Sequence, residues 1–171
     1  MSDSCAIIIP AINLNDDVKK CLEKCLVQKK VKVTIYLITN KKINQKSKMK
    51  KIKYFHFGDI NMSKKTNKAV ELCSNDFIAF IDSDAYPSEN WIFNGIKSLK
   101  KNKNIGIITG PDLPFPNQKG WSFFIGLAHK SILLSGVKVF RKNFRKEMIC
   151  TQASSCNMII RKKDYINIGG M

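Results

Sequence analysis

Acidic residues are scarce in this sequence. Thirteen Asp and Glu stand against 30 Lys and Arg in 171 residues, a formal charge of +17. Histidine is scarcer still. His56 falls in a strand pattern and His129 in a helix pattern, so both read as structural, and two are too few to build a histidine metal centre. No apolar run reaches membrane-spanning length: the closest, Trp121 to Val137, carries His129 and Lys130 in its middle. No secretory leader is expected either, since Met1-Ser2-Asp3 has no basic start and the apolar run behind it stops at Pro10. The six cysteines therefore read as reduced thiols of a cytosolic chain, not as a disulfide framework. Cys21 and Cys25 sit four apart among Val18, Leu22 and Leu26, the spacing of one buried helix face. A chain of this length makes one domain, residues 1–171, that buries roughly two-thirds of its unfolded surface.

The lysine excess is spread through runs such as Asn40 to Lys53 and Lys97 to Asn104, where Lys alternates with Asn and almost no aromatic residue intervenes. Without aromatic stacking platforms, no specific nucleic-acid partner is expected. These runs read as a solvated face, with anionic ligands or peripheral contact with an anionic membrane as the remaining uses.

Hydrophobic periodicity gives repeated strand-helix alternation. "CAIIIPAIN" reads as a buried strand ending at Pro10, and Asn15-Asp16-Asp17 opens a helix with Val18, Cys21, Leu22, Cys25 and Leu26 inward. "VKVTIYLIT" (Val31 to Thr39) and "IKYFHF" are β-rich. Ser63 is placed to cap a helix with Thr66, Ala69, Val70 and Cys73 inward, and Ser88 to cap one with Ile92, Ile96 and Leu99 inward. Between them "FIAFI" is apolar at every position, as in a central parallel strand covered on both faces. "IGIIT" adds a strand before the Pro-rich "GPDLPFPNQKG", Trp121 to Leu134 reads as a helix, and Gly136 to Cys150 as an irregular basic stretch. "SSCNMIIRKKDYINIGGM" reads as a strand turning into a short helix. The pattern implies a doubly wound α/β sheet, mostly parallel and flanked by helices, with its ligand crevice at the carboxyl ends of the strands.

Two of the few carboxylates, Asp82 and Asp84, flank Ser83 just beyond "FIAFI" and so fall in that crevice. Adjacent carboxylates repel unless a cation relieves them. Mg²⁺ or Mn²⁺ takes one or two carboxylates and completes its shell with water and substrate phosphate. The pair thus points to a metal-bridged diphosphate, against the plain alternative of a solvated Asp-Ser-Asp turn.

The stretch "NKAVELCSNDFIAFIDSDAYPSENWI" (Asn67 to Ile92) resembles the central segment of the family 2 glycosyltransferases of GT-A fold. "IIIPAIN" resembles that family's first strand, and "SSCNMIIRKKDYINIGGM" its acceptor-side segment ending in paired glycines. The resemblance implies a GT-A (Rossmann-like) domain that transfers a sugar from a nucleoside-diphosphate-sugar donor to a saccharide or lipid-linked acceptor, with inversion and with Mn²⁺ or Mg²⁺. It places Asp82 on the ribose or metal side of the nucleotide and Asp84 on the ion, with Ser83 between them. Pro10, Ala11 and Ile12 would line the nucleoside pocket. Lys64 or Lys65 with Asn67 would approach the diphosphate, Thr66 standing where the family has an Arg. Asn40 takes the place of the family's acidic base-contacting residue. Asn157, Gly169 and Gly170 fall on the acceptor side, with Cys156 beside Asn157 on the strand. Asp112 reads equally as turn chemistry and as a residue reaching the donor sugar. The acceptor-activating base is expected beyond Met171, in a part that this chain does not reach. The alternatives are a haloacid-dehalogenase-like phosphatase, which also follows an apolar strand with Asp-x-Asp, and a basic module binding RNA or anionic membrane.

Overall fold

The computed structural model describes residues 3–43, 51–113, 119–128, 147, 149–150 and 153–171. The chain runs β1 (Ser4–Ala11), α1 (Asp16–Leu26), β2 (Lys32–Thr39), β3 (Ile52–His56), α2 (Met62–Glu71), β4 (Phe77–Ile81), α3 (Trp91–Lys101), β5 (Ile107–Thr109), α4 (Trp121–Ala128), β6 (Asn157–Arg161) and α5 (Lys162–Asn167). His129, the continuation of the α4 pattern to Leu134 and most of the basic stretch after Gly136 lie outside the described residues.

One six-stranded sheet has the order β3-β2-β1-β4-β6-β5. The β1, β2, β3 and β4 pairings are parallel, whereas β6 lies antiparallel to both β4 and β5. This is the α/β, mostly parallel sheet that the sequence implies, with one departure: "FIAFI" has an antiparallel neighbour on one side. It is nonetheless buried throughout, because helices cover both faces. Alternation along β1 sends Cys5, Ile7 and Ile9 to the face covered by α1 and α3, and Ala6 and Ile8 to the face covered by α2 and α5. Among the described residues no helix is long and apolar enough to cross a membrane.

Three local expectations need correction. Pro10 does not end β1, which continues to Ala11. Pairing with β4 has stopped at Ile8, so Pro10 keeps only β2 as a partner, near the end of the ladder where a missing N–H is tolerated. Asn61, not Ser63, caps α2, its side chain accepting from the Ser63 amide at 2.7 Å. At α3 the N-cap is Asn90, which makes no side-chain cap. The amide of Ile92 is instead satisfied by Gln28 Oε1 at 3.1 Å, while Gln28 Nε2 donates to the Ser88 carbonyl at 2.7 Å. A buried glutamine just past the C-cap of α1 thus replaces the expected serine cap, which local sequence spacing has no means of signalling. Asn15 does cap α1, accepting from Val18 N at 2.9 Å.

Candidate nucleotide-sugar site

The crevice opens where β1 and β4 end, as strand order predicts. It has a volume of about 350 Å³ and is walled by Pro10, Phe80, Asp82, Ser83 and Asp84 from the strand ends, by Met62, Ser63 and Thr66 from α2, and by Ser155 and Met171 from the C-terminal segment. Asp82 and Asp84 reach it because they follow directly on Ile81, the last residue of β4. The chain then turns tightly, with Ala85 N donating to Asp82 O at 3.1 Å. The same carbonyl accepts the Cys21 thiol at 3.6 Å, which pins the turn to α1. Both carboxylates stand exposed at the mouth. Beyond them Tyr86 donates to Asp17 at 3.1 Å; desolvation first, then that carboxylate, push its phenol above the ordinary range.

The crevice brings together Pro10, Asp82, Ser83 and Asp84 of the sequence-derived site. Ala11 is buried in the core and Ile12 is exposed beyond the strand, its carbonyl accepting from Asn40 N at 3.2 Å. Asn40 and Lys65 meet each other: Lys65 is buried and donates from Nζ to Asn40 Oδ1 at 2.5 Å. Lys64 is exposed, and neither it nor the Asn40–Lys65 pair belongs to the crevice wall.

Asn67 faces the C-terminal segment. Its Oδ1 accepts from Tyr165 Oη at 2.6 Å and from Met171 N at 3.1 Å, and its Nδ2 donates to Met171 O at 2.9 Å. Gly169 and Gly170 have φ of 84° and 81°, a left-handed turn that L side chains avoid. At Gly170 a Cβ would also lie 2.6 Å from Asn67 Oδ1. The paired glycines therefore bring the backbone onto Asn67 and set Met171 into the crevice wall.

Asn157 is fixed in the sheet. Its Oδ1 accepts from Trp91 Nε1 at 2.7 Å, its Nδ2 donates to Pro111 O at 3.4 Å, and its carbonyl accepts from Thr109 Oγ1 at 2.8 Å. Beside it the Cys156 thiol donates to Asp112 at 3.2 Å. Burial above all pushes that thiol up, opposed by Ser154 and reinforced by Asp112 and, more weakly, Asp82. Asp164 is held by Arg161 at 2.9 Å.

Sequence reasoning did not assign Met62, Ser63, Phe80, Ser155 or Met171 to the site, and noted Thr66 only as standing in place of an Arg. Ser63 and Thr66 are three apart, one helical turn, and that spacing directly after the α2 cap was the available signal. Nothing local marks Ser155 or Met171, which arrive by tertiary folding.

No curated protein matches this chain by sequence. In structure it resembles a mannosyltransferase, PcManGT from Pyrobaculum calidifontis, in complex with GDP-Man and Mn²⁺, with a TM-score of 0.67 and 12% identity over 97% of this chain and 46% of that one. It also resembles S. aureus TarS 1-349, with a TM-score of 0.66 and 13% identity over 97% of this chain and 49% of that one. TarS in complex with UDP-GlcNAc gives 0.65 at 12% identity. At such identities the likeness establishes the GT-A fold alone, and this chain spans about half the length of those structures. The profile of glycosyl transferase family 2 matches residues 6–169, from β1 to the glycine turn, which removes the phosphatase alternative. With a GT-A sheet, Asp-x-Asp at the end of β4 and a profile match over nearly its whole length, the chain belongs to glycosyl transferase family 2.

Proposed function

We propose that this chain binds a nucleoside-diphosphate sugar through Mn²⁺ or Mg²⁺ and serves an inverting transfer of the sugar to a saccharide or lipid-linked hydroxyl. The observation that carries this reading is the pair of exposed carboxylates, Asp82 and Asp84, on a tight turn at the mouth of the crevice. Among the described residues they have no third His, Cys, Asp or Glu placed to complete a protein-only metal cage. Two oxygen donors beside an open crevice suit a hard ion that keeps water and takes the rest of its shell from phosphate. When bound, the ion would neutralise charge developing on the departing diphosphate.

The chain's own residues supply position. Asp82 and Asp84 hold the ion, Asp82 nearer the ribose. The first turn of α2 faces the same crevice, and its amide ends favour an anion there. The strand-end backbone from Pro10 to Ile12 is the expected seat of the nucleoside, with Asn40 and Lys65 behind it. GDP-Man and UDP-GlcNAc in the two structural relatives make both bases reasonable probes.

The test is calorimetric titration of the chain with UDP and with GDP, with Mn²⁺ or in chelator. Binding should require metal, and Asp84→Ala should weaken it at least about tenfold, or ~1.4 kcal/mol, without altering the melting temperature. Equal affinity in chelator would overturn the metal assignment.

A further inference from the structure

Asn40 directly follows the last residue of β2, and its backbone N–H donates to the Ile12 carbonyl at 3.2 Å, tying together the ends of β1 and β2. It therefore lies one strand spacing, about 5 Å, from the β1 end that walls the crevice through Pro10. The base of a nucleotide whose diphosphate occupies the crevice spans that step. Ile12 beside it is 68% exposed, an apolar surface for the flat face of a base. What the edge of the base meets is decided by Lys65. An ammonium has only protons to offer, so the Asn40 atom that faces the buried Lys65 Nζ at 2.5 Å has to be the carbonyl Oδ1. The amide is locked in that sense, and its free end is Nδ2, a donor. Among the described residues nothing accepts from Nδ2.

We propose that Asn40, locked by Lys65, reads the nucleobase through an acceptor atom, so that the site favours a base with an unprotonated ring nitrogen, as in cytosine, over one with an imide N–H, as in uracil or guanine. The inference rests on the donor-binding reading and names the base class of that same site. An imide N–H would meet the Nδ2 protons donor against donor, and the pair would give up hydrogen bonds to water without replacing them. An unprotonated ring nitrogen accepts one of those protons instead. Contacts to diphosphate and metal are common to every nucleotide, so the amide ranks the bases and does not decide whether a nucleotide binds.

Calorimetric titration of the full chain with CDP and with UDP, both in Mn²⁺, tests the proposal. CDP should bind at least about tenfold more tightly than UDP. Asn40→Asp sets an acceptor in place of Nδ2 while keeping a partner for Lys65, and it should reverse that order. Lys65→Met removes the lock and leaves Asn40 in place, so the amide can turn Oδ1 toward an imide N–H and the ratio of the two affinities should fall near one. A merely structural role for Lys65 would weaken both nucleotides alike and leave the ratio unmoved. Tighter binding of UDP by the parent chain, or a CDP-to-UDP ratio unchanged in Asn40→Asp, would overturn this inference while leaving donor binding intact. Failure of both nucleotides to bind in Mn²⁺ would overturn the donor-binding reading and this inference with it.

Discussion

Lys65 shows how a single side chain links the site to the core. It is buried on α2, and Asn40 Oδ1 accepts its ammonium. Removing that acceptor leaves a buried cation without the bond, which costs about 1–3 kcal/mol. Asn40→Ala should therefore lower stability in urea unfolding by that amount as well as weaken nucleotide binding. Asn40→Ala with Lys65→Met should recover stability but not binding. If Asn40→Ala is as stable as the parent, the pair contributes nothing to the fold. A pH effect belongs to Cys73, whose thiol burial pushes from an ordinary 9.0 up to about 11. Its folded value is raised, so its contribution is complete below pH 9 and lost as pH climbs toward 11, where the unfolded thiol ionises first. Cys73→Ala should flatten the fall of stability across that window in melts at rising pH. The position of Asp82 and Asp84 at the crevice was legible in the sequence because an apolar strand ran straight into them. The burial of Lys65 was not, since a lysine in "SKKTNK" looks like every other lysine on a solvated face.

Strands and helices were legible as elements, because burial imposes periods of two and 3.6 that survive in the sequence. Their partners were not. Nothing in "NMIIR" signals that β6 inserts between β4 and β5 in the antiparallel sense, because periodicity encodes which faces are buried and not which edge is paired. The insertion is held in part by α3. Gly95 packs on Ile159 of β6 so closely that a Cβ at 95 would strike Ile159 Cδ1. Gly→Ala in a helix ordinarily gains about 1 kcal/mol. Here overpacking of about 1–3 kcal/mol opposes the gain. Gly95→Ala should therefore destabilise, and Ile159→Val, which removes that methyl, should restore part of the loss in a double-mutant cycle. Additive effects would mean that α3 does not gauge its distance from β6 through Gly95. Arg161 adds a second tie at the far end of β6, donating to the carbonyls of Leu99 and Ile105 and to Asp164.

Donor binding and sugar transfer make different demands on the molecule as a whole. An acceptor hydroxyl needs a carboxylate within hydrogen-bond reach on the side away from the diphosphate. Asp82 and Asp84 stand at the proposed metal, Asp164 is held by Arg161, and Asp112 accepts the Cys156 thiol. The 171-residue chain should accordingly bind donor yet transfer sugar negligibly, as measured by donor-sugar turnover with a mixed acceptor extract. Robust turnover abolished by Asp112→Asn would refute this and make Asp112 the base. The crevice also has a history within each folding event. Asn67 and Met171 are 104 positions apart, and β5 has no strand partner among the described residues until β6 arrives. Loop closure over such a span comes late, after the local β1-α1-β2 contacts have formed. The wall carrying Met171 is thus the last part of the crevice to assemble, and a nascent chain would hold its two carboxylates in place well before it had anything to close against them.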